Sequence, residues 1–233
     1  MLTLLFFSCI SNAQVILGAK FGPNVSLTSV KDNNGFIFPA ESGGAQNGIG
    51  AALTFDLPIN DKFYFGTGIG FIQKNITVRN SGTSKYKIAY FQVPALLKYR
   101  TGKVFTEKLN LVFGAGPALD FKVKESVNGK DNANYMNLAK NKYSTDPFIG
   151  YNGNGKSLPL FSPKNIGLLI VAGAEYQLLD KLGVYAGFSI NPSFLNMINP
   201  RLTYLNGIPV ADYLKIKTTI ISFDLGVKFA TGK

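Results

Sequence analysis

The stretch FYFGTGIGFIQK, residues 63–74, puts Gly66, Gly68 and Gly70 on every second position. Such a run is either a loop that cradles phosphate or one face of a β-strand. A phosphate loop follows a strand, opens a helix and turns its backbone amides onto one point. Here Phe63, Phe65, Thr67, Ile69 and Phe71 fill the other parity, while Tyr64, Ile72 and Lys74 share the parity of the glycines. That is the period of a strand. Glycines on its small side clear interior space for large side chains from opposite strands and let a tight wall curve.

The same alternation recurs in segments of about ten residues, the length of a tilted strand that crosses a bilayer. Val15, Leu17, Ala19, Phe21 and Val25 oppose Gly18, Lys20, Gly22, Asn24 and Ser26. Ile49, Ala51, Leu53, Phe55 and Leu57 oppose Gly48, Gly50, Ala52, Thr54 and Asp56. YFQVPALLKY, LNLVFGAGPALDFK, IGLLIVAGAEY and the segments 182–191 and 221–229 continue the series, with Gly167, Gly173 and Glu175 marking the inner parity of the least regular one. Pro94 cannot donate to a ladder, so a bulge or break is expected there.

Connections alternate in length. Residues 58–62, 101–108 and 177–181 are tight, whereas 27–46, 75–87, 123–164 and 192–217 are longer and polar and read as loops. Short turns on one rim and long loops on the other belong to an outer-membrane barrel, whose even strand count leaves both termini in the periplasm. A soluble sandwich or lipocalin-like ligand-binding barrel also alternates, but its polar face carries long charged side chains. Here the non-apolar face is mainly Gly, Ala, Ser and Asn, as a narrow lumen requires. The fold class is therefore all-β, a transmembrane antiparallel up-and-down barrel of about eight strands.

Composition agrees with an exported chain. It is 46% hydrophobic, 13% aromatic and only 16% charged, with 25 glycines and neither histidine nor tryptophan among 233 residues. The apolar start MLTLLFFSCISNAQ ends in Ser11-Asn12-Ala13 and reads as a signal peptide over residues 1–13, N-terminally truncated because its basic segment is missing, with the barrel domain spanning 14–233. Cys9 as a lipid acceptor is disfavoured by the bulky Phe6-Phe7 before it. Cleavage leaves no cysteine and hence no disulfide or thiolate metal site. No stretch offers the roughly 18 apolar residues of a membrane helix. The net charge of +11 is scattered rather than clustered, so no nucleic-acid partner is expected.

Without histidine, Ser-His-Asp hydrolysis and His metal sites are excluded, and no close carboxylate pair stands out for catalysis. The expectation is a non-enzyme with no cofactor, no metal and no catalytic residue. The inner parity does collect charge: Lys20, Asp56, Lys98, Asp120, Lys122, Glu175, Asp224 and Lys228. Asp56, Lys98, Glu175 and Lys228 fall near the periplasmic ends of four strands and should share one layer, and Lys20 should meet Asp224 where the barrel closes. Buried charge must be paired, so a lumen salt-bridge network that plugs the barrel is expected. Aromatic girdles are expected from Phe63, Tyr99, Tyr176 and Phe229 at the periplasmic interface and from Phe71, Phe91, Phe121 and Phe188 toward the outer one.

The segments VILGAKFGPNVS, YFQVPALLKYR, LVFGAGPALDF and ISFDLGVKF resemble the PorT-like outer-membrane β-barrel family of Gram-negative bacteria. The resemblance covers the mature chain and implies a small eight-stranded barrel in the outer membrane. Its motifs are strand patterns rather than chemistry, and the family's secretion role need not transfer. The last strand, ending in Phe229, looks like a barrel-assembly signal, although ATGK follows it. Expected partners are outer-membrane lipid and lipopolysaccharide, the barrel-assembly machinery, and an envelope protein at the extracellular loops. Those loops hold Tyr135, Tyr143, Phe148 and Tyr151, and the cations Arg79, Lys85, Lys140, Lys142, Lys156, Lys164 and Arg201. The alternatives to a structural or surface role are a narrow passive porin-like channel and an accessory barrel of a secretion or envelope complex.

Overall fold

The computed structural model describes residues 15–32, 45–80, 82–104, 106–127, 130–131, 150–151, 157–158, 161–199, 204–205, 208–209 and 214–231. The proposed signal segment and most of the long third loop lie outside these residues. Eight long strands form the wall: β1 (Ile16–Asp32), β2 (Ala45–Pro58), β3 (Phe63–Asn80), β4 (Gly82–Lys103), β5 (Leu109–Val127), β6 (Lys164–Gln177), β7 (Leu182–Pro192) and β8 (Leu214–Ala230). Each pairs antiparallel with its neighbours in sequence, and β8 returns to β1. The sheet is closed and has no edge. The short strands Gly150–Tyr151, Ser157–Leu158, Tyr204–Leu205 and Ile208–Pro209 make a separate small sheet, and Lys130–Asp131 pairs with the end of β5.

Register fixes the tilt. Cross-strand partners lead from Glu175 to Tyr185, Gly226, Lys20, Ala52, Gly70, Gln92, Asp120 and back to β6 at Asn165, ten residues from the start. With the rise and spacing of a regular sheet, that shear tilts the strands by about 40° and gives a barrel radius of about 8 Å. Every residue on the path faces inward, so the lumen is a narrow space that side chains can fill.

The faces follow the alternation. Phe21, Leu53, Leu97, Phe113, Phe188, Leu225 and Val227 are exposed on the outer surface, while the opposite parity holds the charges, serines and asparagines. A soluble ligand-binding barrel would have this the other way round. At the rim carrying both termini the turns are tight. Asn60 Oδ1 accepts from the amides of Lys62 and Phe63, and the amides of Leu178 and Leu179 both donate to the Leu182 carbonyl. Gly102 closes the β4–β5 turn at φ +79°, a left-handed conformation that glycine adopts at little cost. Near Pro94 the ladder skips Gly68 and Ile69 on β3, and Thr67 Oγ1 donates instead to the Pro94 carbonyl.

The opposite rim differs from the sequence expectation. Residues 75–87 are not a loop: β3 and β4 continue as one hairpin, paired up to Asn80 and Gly82. β1, β5 and β8 likewise run into segments read as loops. The reason is an apolar cap. Ile76, Tyr86 and Ile88 are fully or almost fully buried, and Phe161, Met197, Ile198, Ile216 and Ile220 are buried toward the same rim. Tyr86 stacks edge-on against Phe161 at 5.2 Å, and Met197 is threaded between Ser162 and Ile216 by backbone hydrogen bonds. Outward Lys85 and Lys87 make the segment look polar, but its inner parity is core.

Candidate functional site

Among the described residues, charged side chains of both signs converge in the lumen. Near the terminal rim, Asp56 from β2 accepts from Lys98 of β4 at 2.5 Å and from Lys228 of β8 at 3.1 Å. Lys228 also binds Glu175 of β6, and Glu175 takes Arg100 of β4 at 2.5 Å. These four strands deliver their charges to one level because each carries the residue on its inner parity near its periplasmic end. One step further in, Lys20 of β1 meets Asp224 of β8 at 2.6 Å, and Ser189 lies 3.3 Å from the same carboxylate oxygen. Higher still, Lys74 of β3 and Asp120 of β5 pair at 2.6 Å with both side chains wholly excluded from solvent. Gln92 donates to the second oxygen of Asp120, and Ser193 contacts Lys74. At the cap, Lys122 pairs with Glu125 and donates to the Phe161 carbonyl.

The eight charges singled out in the sequence thus all lie in the lumen, but not all pair with one another. Lys122 and Asp120 take partners the sequence reading did not name, Glu125 and Lys74, and Arg100 also joins the lower level. Both were readable from parity: Lys74 stands on the assigned inner face of its strand, and Arg100 is one even step beyond Lys98. Glu125 was not. A register shift at Ala89/Tyr90 puts a bulge opposite β4, so Lys122 faces in, Val123 and Lys124 face out, and Glu125 turns in. Tyrosines back the cations: Arg100 lies 4.6 Å from the ring centre of Tyr64, Lys228 5.3 Å from Tyr185 and Lys74 5.3 Å from Tyr90.

Between the levels, one wall is apolar, with Leu96, Ala118, Leu169 and Val171 buried together. The cavity against it measures about 60 Å³, more than the roughly 10–15 Å³ that one water needs. Asn24 and Asn191 are buried as well, and neither amide has a hydrogen-bond partner among the described residues. The glycines of the opening stretch serve neighbouring rather than opposite strands. A Cβ on Gly66 would lie 2.5 Å from Lys98 Cε, and one on Gly68 would lie 2.1 Å from the Leu53 carbonyl oxygen.

On the outer surface, Phe63 and Tyr99 are cross-strand partners with rings 5.3 Å apart, and Tyr176 and Phe229 are exposed at the same rim. Phe71, Phe91 and Phe121 follow one another as partners across β3, β4 and β5. Phe188 packs on Phe223 at 5.1 Å. Of the loop cations, Lys85 and Lys164 are exposed. The residues Lys140, Lys142, Lys156, Arg201, Tyr135, Tyr143 and Phe148 lie outside the described residues, as does the side chain of Arg79.

A closed, shear-ten barrel with a charged interior and an apolar exterior is the geometry of a bacterial outer-membrane protein, and the model of the outer membrane protein beta-barrel domain matches residues 12–198. The chain belongs to the outer-membrane protein β-barrel domain family. The match ends before β8, the strand that closes the barrel. No curated protein matches the chain in sequence. Among solved structures it is similar to the outer membrane protein OprG from Pseudomonas aeruginosa, at 13% identity and a TM-score of 0.53, over 95% of this chain and 97% of that one. It is also similar to Neisserial surface protein A, at 14% and 0.49, over 92% and 96%. The outer membrane protease OmpT from Escherichia coli follows at 10% and 0.41, over 94% and 97%. The likeness to OprG shows a shared fold. The protein is an outer-membrane barrel, located in the cell outer membrane.

Proposed function

We propose that this family member is a non-enzymatic barrel whose lumen is closed by its own side chains, and that it acts as a structural or surface-interaction protein. One observation carries the reading: Lys20, Lys74, Lys98, Arg100, Lys122 and Lys228 meet Asp56, Asp120, Glu125, Glu175 and Asp224 at successive levels of a lumen about 8 Å in radius. Paired charge with a near-neutral sum neither selects an ion nor leaves a path. The lack of histidine supports the absence of catalysis. Kinship with the PorT-like group, removal of residues 1–13 and a barrel domain over 14–233 belong to the same reading. Its partners are outer-membrane lipid and lipopolysaccharide, the assembly machinery at the strand ending in Phe229, and an envelope protein at the extracellular loops.

Planar-bilayer recording of the purified chain tests it. The closed lumen gives no stable open level, whereas a persistent large conductance favours the passive channel. Co-purification of a secretion or envelope complex under mild detergent would favour the accessory barrel.

A further inference from the structure

The lumen charges do not cancel, and the surplus sits at one level. Lys20 with Asp224, Lys74 with Asp120 and Lys122 with Glu125 each set one cation against one carboxylate. The level nearest the terminal rim is different: Lys98, Arg100 and Lys228 share Asp56 and Glu175, three cations to two carboxylates. The turns of this rim leave that surplus standing, because exposed Asp61, Glu107 and Asp180 are each followed by a lysine, Lys62, Lys108 and Lys181. A positive charge held mostly out of water needs a counter-charge.

Arg100 is the member of this level best placed to take it. One guanidinium nitrogen reaches Glu175 at 2.5 Å, while Nε is buried with no hydrogen-bond partner among the described residues. The Tyr64 ring lies against the same group, 4.6 Å from its central carbon. A cavity of about 160 Å³ adjoins Arg100, far more than the roughly 10–15 Å³ that one water needs. Its lining repeats the imbalance, with Arg100, Lys181 and Lys228 against Glu175 and Asp180. Asn110, the cross-strand partner of Glu175, adds a neutral amide to the same wall. A planar guanidinium beside a surplus of cations matches a carboxylate, which accepts two N–H groups of the fork at once.

We propose that the cavity at the terminal rim binds a carboxylate, seated on Arg100 and balancing the surplus charge of Lys98, Arg100 and Lys228. This rests on the reading of a lumen closed by paired charge and gives its lower level a ligand. Binding and conductance are separate measurements, so an open channel that still binds a carboxylate would refute the closed lumen and leave the site.

The test is saturation-transfer NMR of acetate with the full mature chain in uncharged detergent at fixed ionic strength. The wild-type chain transfers saturation to the acetate methyl protons. Arg100→Gln brings the level to neutrality and weakens binding about tenfold or more. Lys62→Gln, whose lysine lies outside the cavity lining, binds as wild type. Asn110→Asp supplies the carboxylate from the chain itself, so it abolishes acetate binding and raises the urea midpoint. A heat-modifiable gel shift establishes that each variant is folded. N-acetylated dialanine and its C-terminal amide identify the source of the carboxylate. Tighter binding of the acid than of acetate assigns a polypeptide terminus, equal or weaker binding assigns a free small acid, and either supports the site. No transfer to acetate in the wild type, undiminished binding by Arg100→Gln, a lowered urea midpoint for Asn110→Asp, or equal binding of the amide would each overturn it.

Discussion

Near the terminal rim Asp56 is shared by Lys98 and Lys228, and Glu175 by Lys228 and Arg100, whereas toward the opposite rim Lys74 and Asp120 are, among the described residues, each other's only salt-bridge partners. The lower level is partly wet: the side chains of Lys98 and Arg100 are 10% and 16% exposed, while those of Lys74 and Asp120 are 0%. A shared, hydrated network can lose a member and re-pair. A sealed pair cannot, because the survivor is left as a lone charge under an apolar cap.

The largest effect is therefore expected at the upper pair. Lys74→Met should cost about 3–5 kcal/mol in urea unfolding from lipid vesicles, since Asp120 keeps only Gln92. At the lower level, Asp56→Asn removes the carboxylate that holds two lysines and should cost about 2 kcal/mol in the same assay, with water covering part of the loss. A cost equal to that of Lys74→Met would erase the distinction between the two levels. The wall sharpens it further. Gly68→Ala places a Cβ on the Leu53 carbonyl and should cost about 2 kcal/mol, whereas Gly66→Ala meets the side chains of Lys98 and Asp56, which can shift together, and should cost about 1.5 kcal/mol. The smallest effect belongs to Glu175→Gln, about 1 kcal/mol, because Lys228 keeps Asp56 and the amide oxygen still accepts from Arg100.

Much of the lower level was legible in the sequence. Asp56, Lys98 and Lys228 lie on strands whose alternation runs on to the rim, and Glu175 marks the inner parity of a less regular strand, so parity orders all four. Lys74 was placed on the inner parity, yet its partner depends on shear, which brings β3 and β5 together across β4 and is not written in any single strand. The cap was illegible for another reason. In residues 75–88 apolar inner positions alternate with Asn75, Thr77, Lys85 and Lys87, so average polarity hides a face that is core. Glu125 shows the limit of parity: one bulge reverses it, and no residue in FKVKE announces the bulge.

A double-mutant cycle on Lys74 and Asp120 in vesicles is the most direct measurement of whether lumen charges close the barrel by pairing across it. Lys74→Met, Asp120→Leu and the double variant should give a coupling of about 2–3 kcal/mol, with the double variant recovering most of what either single change loses. Additive losses, within about 0.5 kcal/mol, would contradict a paired lumen.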